Sequence, residues 1–127
     1  MKLLLTGIVL LILDTIYIKN YGYLFESLIQ KIQGYPIIIN YNGGIIAYIF
    51  LILGLYYFII KENKSPYDAF ILGLVIYGVY EGTNLALLNK WSLDILILDT
   101  LWGGILFALT TFIIYNYVLQ DRPKSNS

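Results

Sequence analysis

Four long apolar stretches separated by short polar breaks organise this chain. They cover residues 3–19, 38–60, 67–88 and 95–119. Each approaches the roughly 20 residues that a helix needs to cross a hydrocarbon core of about 30 Å. The breaks carry turn chemistry: "KENKSP" (61–66) is compact, with Pro66 suited to the first turn of the following helix, and "NKWSLD" (89–94) is the next turn. Between spans one and two, "KNYGYLFESLIQKIQGYP" (19–36) is wetter. Its Leu24, Phe25, Leu28, Ile29 and Ile32 share one helical face while Glu26, Gln30 and Lys31 look elsewhere. That pattern predicts a short amphipathic helix along the interface, ended by Gly34 and Pro36. Residues 120–127, "QDRPKSNS", read as a polar tail. The expected fold is an all-α polytopic membrane protein, one membrane domain over 1–127, with an antiparallel four-helix transmembrane bundle and a short interfacial helix between spans one and two.

Composition agrees with lipid as the main solvent. The 127 residues are 59% hydrophobic and 13% charged, with a mean hydropathy of +0.75, whereas a soluble domain carries about 25% charge. Eight basic residues balance eight acidic ones, so no net field recommends nucleic acid as a partner. Histidine and cysteine are both absent, which removes thiolate nucleophiles, disulfides and the usual ligands of zinc and haem. Redox chemistry would need a cofactor for which the chain offers no ligands, so none is expected. Lys2 followed by an apolar run looks like the start of a signal peptide, but no small-x-small cleavage site follows, and the segment reads as a retained first span.

An even number of spans puts both ends on one side. Lys2, Lys61, Lys64, Arg122 and Lys124 share that side, against Lys19, Lys31 and Lys90, which favours cytoplasmic termini. Tyrosines near span ends, Tyr17, Tyr21 and Tyr115 among them, read as an aromatic belt. Gly78 with Gly82, and Gly103 with Gly104, offer small-residue surfaces for close helix packing.

Polar groups inside the apolar runs carry the functional signal. A charged side chain at the bilayer centre costs at least ~2.5–3.5 kcal/mol, so it is kept where it faces protein, water or a ligand. Glu26, Glu62, Asp68, Asp94 and Asp121 lie at breaks or ends, but Asp14, Glu81 and Asp99 do not. At 1.5 Å per residue, Asp14 stands roughly 16 Å, Glu81 about 21 Å and Asp99 about 24 Å up the core. All three fall in the half away from the termini. Tyr77, Glu81 and Asn84 recur at i, i+4 and i+7 on one stripe, Asp99 and Trp102 share a face of the fourth helix, and Asn42 enters the second span at the same level. The expected site is a pocket lined by Asp14, Asn42, Tyr77, Glu81, Asn84, Asp99 and Trp102. Three acids there need protons, a cation or a cationic ligand to balance them, since no basic residue lies inside any span.

The stretches "YEGTNLA" (80–86) and "LDTLWGG" (98–104), with Trp91 and the first-span "LDTIY" (13–17), resemble the signature of a family of small predicted membrane proteins, domain of unknown function 2177. The resemblance spans nearly the whole chain and implies a four-span fold and the identity of the polar set. It implies no reaction. Glu81 stands where that family more often has aspartate, which adds one methylene of reach.

Three classes of function are compatible with this reading. Binding or passage of a cation, a proton or an amphipathic ligand uses the acids directly, though no internal repeat of the secondary-transporter kind is evident. A structural or assembly role, as a homo-oligomer or a subunit of a membrane complex, uses them as interhelical ties. A lipid-modifying acid-base enzyme would use Glu81 as base and Asp99 as acid. Calcium or magnesium on Asp14, Glu81, Asn84 and Asp99 is chemically admissible.

Overall fold

A computed structural model describes residues 1–118; the expected last residue of span four, 119, and the tail at 120–127 lie outside the described residues. Among the described residues four helices are long and apolar enough to cross a membrane. Helix α1 runs Lys2–Gln33, α2 Tyr41–Leu55, α3 Pro66–Leu87 and α4 Leu93–Ile113. π-helical turns extend α2 through Tyr56–Ile60 and α4 through Ile114–Val118.

The starts and stops follow from local chemistry. Asn40 caps α2 by accepting from the backbone N–H groups of Asn42 and Gly43, Ser65 caps α3 through Asp68 N–H, and Ser92 caps α4 through Ile95 N–H. Side-chain oxygens at these positions satisfy donors that the first helical turn leaves free. Pro66 opens α3, and Asp68 and Asp94 place negative charge against the positive ends of their helices. Gly34 ends α1 with φ 85°, a left-handed conformation that glycine adopts without penalty.

One expectation is corrected. No separate interfacial helix follows the first span; residues 19–33 continue α1, which is 32 residues long and so about 48 Å. No proline interrupts the chain between Lys19 and Gln33, and the apolar face of this extension has protein to cover. Leu28 packs with Trp91 and Ile95, flanked by Leu24, Phe25, Ile29, Ile32 and Leu88. The end of α1 therefore shields the turn between α3 and α4.

Side-chain contacts give the helix order. Gly7 and Asp14 on α1 meet Ile52 and Tyr48 on α2, and Asp14 and Tyr17 meet Trp102 and Asp99 on α4. Phe70, Gly73 and Gly78 on α3 face Gly104, Gly103 and Thr100 on α4. In each pair the numbers rise along one helix as they fall along the other, so all three interfaces are antiparallel. The α3–α4 interface is the most extensive, and among the described residues α2 and α3 approach each other only marginally. The spatial order is α2, α1, α4, α3, a bundle with one open side.

Gly73 sets the closeness of α3 and α4: a Cβ there would run into the carbonyl of Gly103. Gly103 in turn lies under Tyr77 and Gly104 under Phe70. Of the glycines that the sequence pointed to, Gly103, Gly104 and Gly78 face the neighbouring helix, whereas Gly82 faces open space. At the level of the termini, Leu10, Leu55, Ile59, Ile60, Leu106, Phe107 and Ile114 form the apolar core. The Tyr115 hydroxyl donates to the Lys64 carbonyl at 2.7 Å and lies 3.2 Å from that of Ile59, so a residue read as belt pins the α2–α3 turn.

Candidate functional site

The open side between α2 and α3 is a pocket of about 540 Å³. Its walls are Gly44, Ala47, Tyr48, Phe50 and Leu51 from α2 and Ile76, Tyr77 and Tyr80 from α3, and its floor is Asp14 of α1 and Asp99 of α4. Floor and walls differ in kind. The two carboxylates are buried, while the walls are apolar or phenolic and several of their residues are exposed at the molecular surface. In a membrane the cleft would therefore meet lipid along its open side.

Each floor carboxylate is held by donors from neighbouring helices. Trp102 Nε1 donates to Asp14 Oδ1 at 2.9 Å, and the Tyr48 hydroxyl donates to Asp14 Oδ2. The Tyr17 hydroxyl donates to Asp99 Oδ1 at 3.2 Å. Tyr17 and Trp102 stack between these bonds, with ring centroids 4.6 Å apart and planes within 3°. The pairing is crossed, because each helix presents an acid and, three residues on, the aromatic donor that serves the other helix's acid. Antiparallel packing puts Asp14 level with Trp102 and Tyr17 level with Asp99.

The crossed pair has a sequence origin. Residues 11–17 read "LILDTIY" and residues 96–102 read "LILDTLW". The same seven-residue pattern on two antiparallel neighbours generates a local two-fold arrangement. This repeat was present in the sequence and unread.

Glu81 lies apart from the cleft lining and is wholly buried. Trp91 Nε1 donates to its Oε1 at 2.7 Å, the chain folding back through the α3–α4 turn to bring that indole over the acid. Among the described residues Oε2 meets no donor. The α3–α4 register, with Tyr77 on Gly103 and Gly78 against Thr100, sets Glu81 level with Asp99, which itself lines the cleft.

Of the seven expected residues, Asp14, Tyr77, Asp99 and Trp102 come together around the floor, and Glu81 adjoins Asp99. Asn84 is half-buried and lines a different pocket of about 390 Å³ with Ile29, Ile32, Gln33, Tyr80, Leu88 and Trp91. Asn42 is exposed in the first turn of α2, where its backbone N–H donates to Asn40. Reading from sequence missed three residues of the network, Tyr17, Tyr48 and Trp91. A signal for Tyr17 existed, since it lies three residues beyond Asp14 and so on the same helical face.

The family model described as "Predicted membrane protein (DUF2177)" matches residues 1–116. The chain belongs to this family. No curated protein and no solved structure matches it. This DUF2177 protein is thus an all-α, multi-pass membrane protein with a buried network of hydrogen-bonded residues around Asp14, Glu81 and Asp99. Among the described residues no group of three or more acidic side chains is disposed to hold a metal ion.

Proposed function

We propose that this protein binds a cationic amphiphile taken from the bilayer, with the ammonium group over Asp14 and Asp99 and the hydrocarbon tail along Phe50, Leu51 and Ile76. One observation carries the reading: two buried carboxylates from adjacent helices form the floor of a cleft whose walls are otherwise apolar and aromatic. Among the described residues no lysine or arginine lines that cleft. An ammonium group supplies the compensating charge, and the electron-rich faces of Tyr48 and Tyr77 favour a cation that cannot itself donate hydrogen bonds. Hydrogen bonds from Tyr17, Tyr48 and Trp102 orient the acids, so the charged floor is set before a ligand arrives.

The test is binding of dodecyltrimethylammonium to the protein in phosphatidylcholine nanodiscs, followed by tryptophan fluorescence, since Trp102 touches Asp14. Saturable binding is expected, weakened at least about tenfold in Asp99→Asn, a loss of ~1.4 kcal/mol. Equal competition by an uncharged dodecyl chain, or unchanged affinity in Asp99→Asn, overturns the reading.

Further parts of the proposal concern disposition. Both termini lie on the cytoplasmic side, supported by the lysine distribution. The polar face of residues 19–33 lies at the opposite interface, supported by Glu26, Gln30 and Lys31 being exposed. A second copy, if present, docks on α2, which packs on α1 and leaves most of its apolar surface uncovered.

A further inference from the structure

We infer that the site exchanges a proton for its cation: Glu81 and Asp99 share one proton while the cleft is empty and release it when a cation is bound. This rests on the cation-binding reading and adds the coupling. Glu81 is wholly buried and its Oε2 has no N–H or O–H donor, although Oε1 is satisfied by Trp91 at 2.7 Å. A buried carboxylate oxygen without a donor is a costly exception among protein polar groups. The α3–α4 register that seats Tyr77 on Gly103 and Gly78 against Thr100 sets Glu81 level with Asp99, and two neighbouring carboxylates can bond each other only through an added proton. Like charges in contact inside a bundle do not both ionise.

Among the described residues the surroundings offer no other compensation. Facing the pair are Asp14 and Tyr17 from α1, Tyr48 from α2 and Tyr77 from α3, all acids or phenols. The basic residues nearest in sequence to these acids, Lys19 to Asp14 and Lys90 to Glu81 and Asp99, are both exposed. Asp99 is the link, because it stands level with Glu81 across the α3–α4 interface and also lines the cleft. A cation arriving over Asp99 stabilises the ionised form of the pair, and the proton leaves for water. One positive charge replaces another, so the net charge of the floor is unchanged whatever the state of Asp14. Charge-neutral exchange avoids leaving a bare acid or an uncompensated cation in hydrocarbon at either stage.

Linkage fixes the sign. A proton must leave for the cation to bind, so affinity rises with pH. Dodecyltrimethylammonium is the appropriate probe because it has no proton to lose. In weakly buffered nanodiscs with a pH indicator, we expect about one proton released per cation bound, and an affinity that tightens by about tenfold per pH unit on the acid side. Glu81→Gln is expected to bind the probe with no proton release and a flat pH profile. Binding without proton release by the unaltered protein overturns the coupling and leaves the cation site standing. Absence of binding overturns both. Full proton release from Glu81→Gln overturns the assignment to this pair, and if that variant does not fold, the proton stoichiometry of the unaltered protein still decides.

Discussion

Substituting Gly73 by alanine tests the packing that holds α3 against α4, and Gly82→Ala is its internal control. A Cβ on Gly73 would collide with the Gly103 carbonyl oxygen and would sit 2.7 Å from its carbon and 3.0 Å from the Gly104 Cα. Ordinary contact between such atoms is about 3.5–4.0 Å, so the helices must part by roughly 1 Å. The obstruction is backbone on a rigid helix, which has no rotamer to escape into. Overpacking of this kind costs about 3 kcal/mol at the upper end of its usual range. Alanine returns up to ~1 kcal/mol through its better helix propensity. The net expectation is a loss of about 2 kcal/mol for Gly73→Ala. Gly82→Ala meets no atom within 4 Å and keeps only the propensity term, so it should be neutral or stabilised by up to ~1 kcal/mol. Unfolding by sodium dodecyl sulfate in mixed micelles, followed by far-ultraviolet circular dichroism, reads the difference of about 3 kcal/mol. Equal midpoints for the two variants would refute the argument that Gly73 and Gly103 set the interhelical distance.

Two further outcomes follow from the network. A double-mutant cycle with Trp91→Phe and Glu81→Met should give a coupling energy of about 1–2 kcal/mol, because Trp91 is the donor to a wholly buried oxygen; in the same unfolding assay, a value under about 0.5 kcal/mol removes that bond from the account. Ala47 lines the cleft at an exposed position, so Ala47→Trp should preserve the melting profile while weakening dodecyltrimethylammonium at least about tenfold, or ~1.4 kcal/mol, and undiminished binding would put the ligand elsewhere.

Much of the fold was legible because the signals were local. The four apolar runs, the turn at 61–66 with Pro66 and the termination at Gly34 are each decided within a few residues. The interfacial helix was misjudged for a physical reason. An amphipathic face looks the same whether it meets a bilayer interface or the α3–α4 turn of its own protein, and only the tertiary contact of Leu28 with Trp91 and Ile95 distinguishes the two.

The site was legible to the extent that charge in hydrocarbon announces itself. Asp14, Glu81 and Asp99 stood out, and Trp102 followed from its spacing. Tyr17 was hidden by the premature end assigned to the first span at residue 19, which turned a mid-helix phenol into an apparent anchor. Tyr48 shares the depth of Asp14, since one helix descends as the other ascends, but a single tyrosine in an apolar run carries no phase of its own. Trp91 was out of reach, because nothing local tells that a turn residue folds back over an acid ten positions earlier. The doubled "LILDT" was a further signal, since it sets an acid and an aromatic at the same spacing on both helices.

The crossed ties between α1 and α4 bear on how the chain is made. The first helix emerges from the ribosome early and the last one late, so Asp14 enters the bilayer before the indole that will receive it has been synthesised. Until that final segment arrives, the aspartate has at most the Tyr48 hydroxyl for company. An interrupted copy is thus left with a carboxyl that lacks its indole donor, and only completion of the polypeptide supplies that bond.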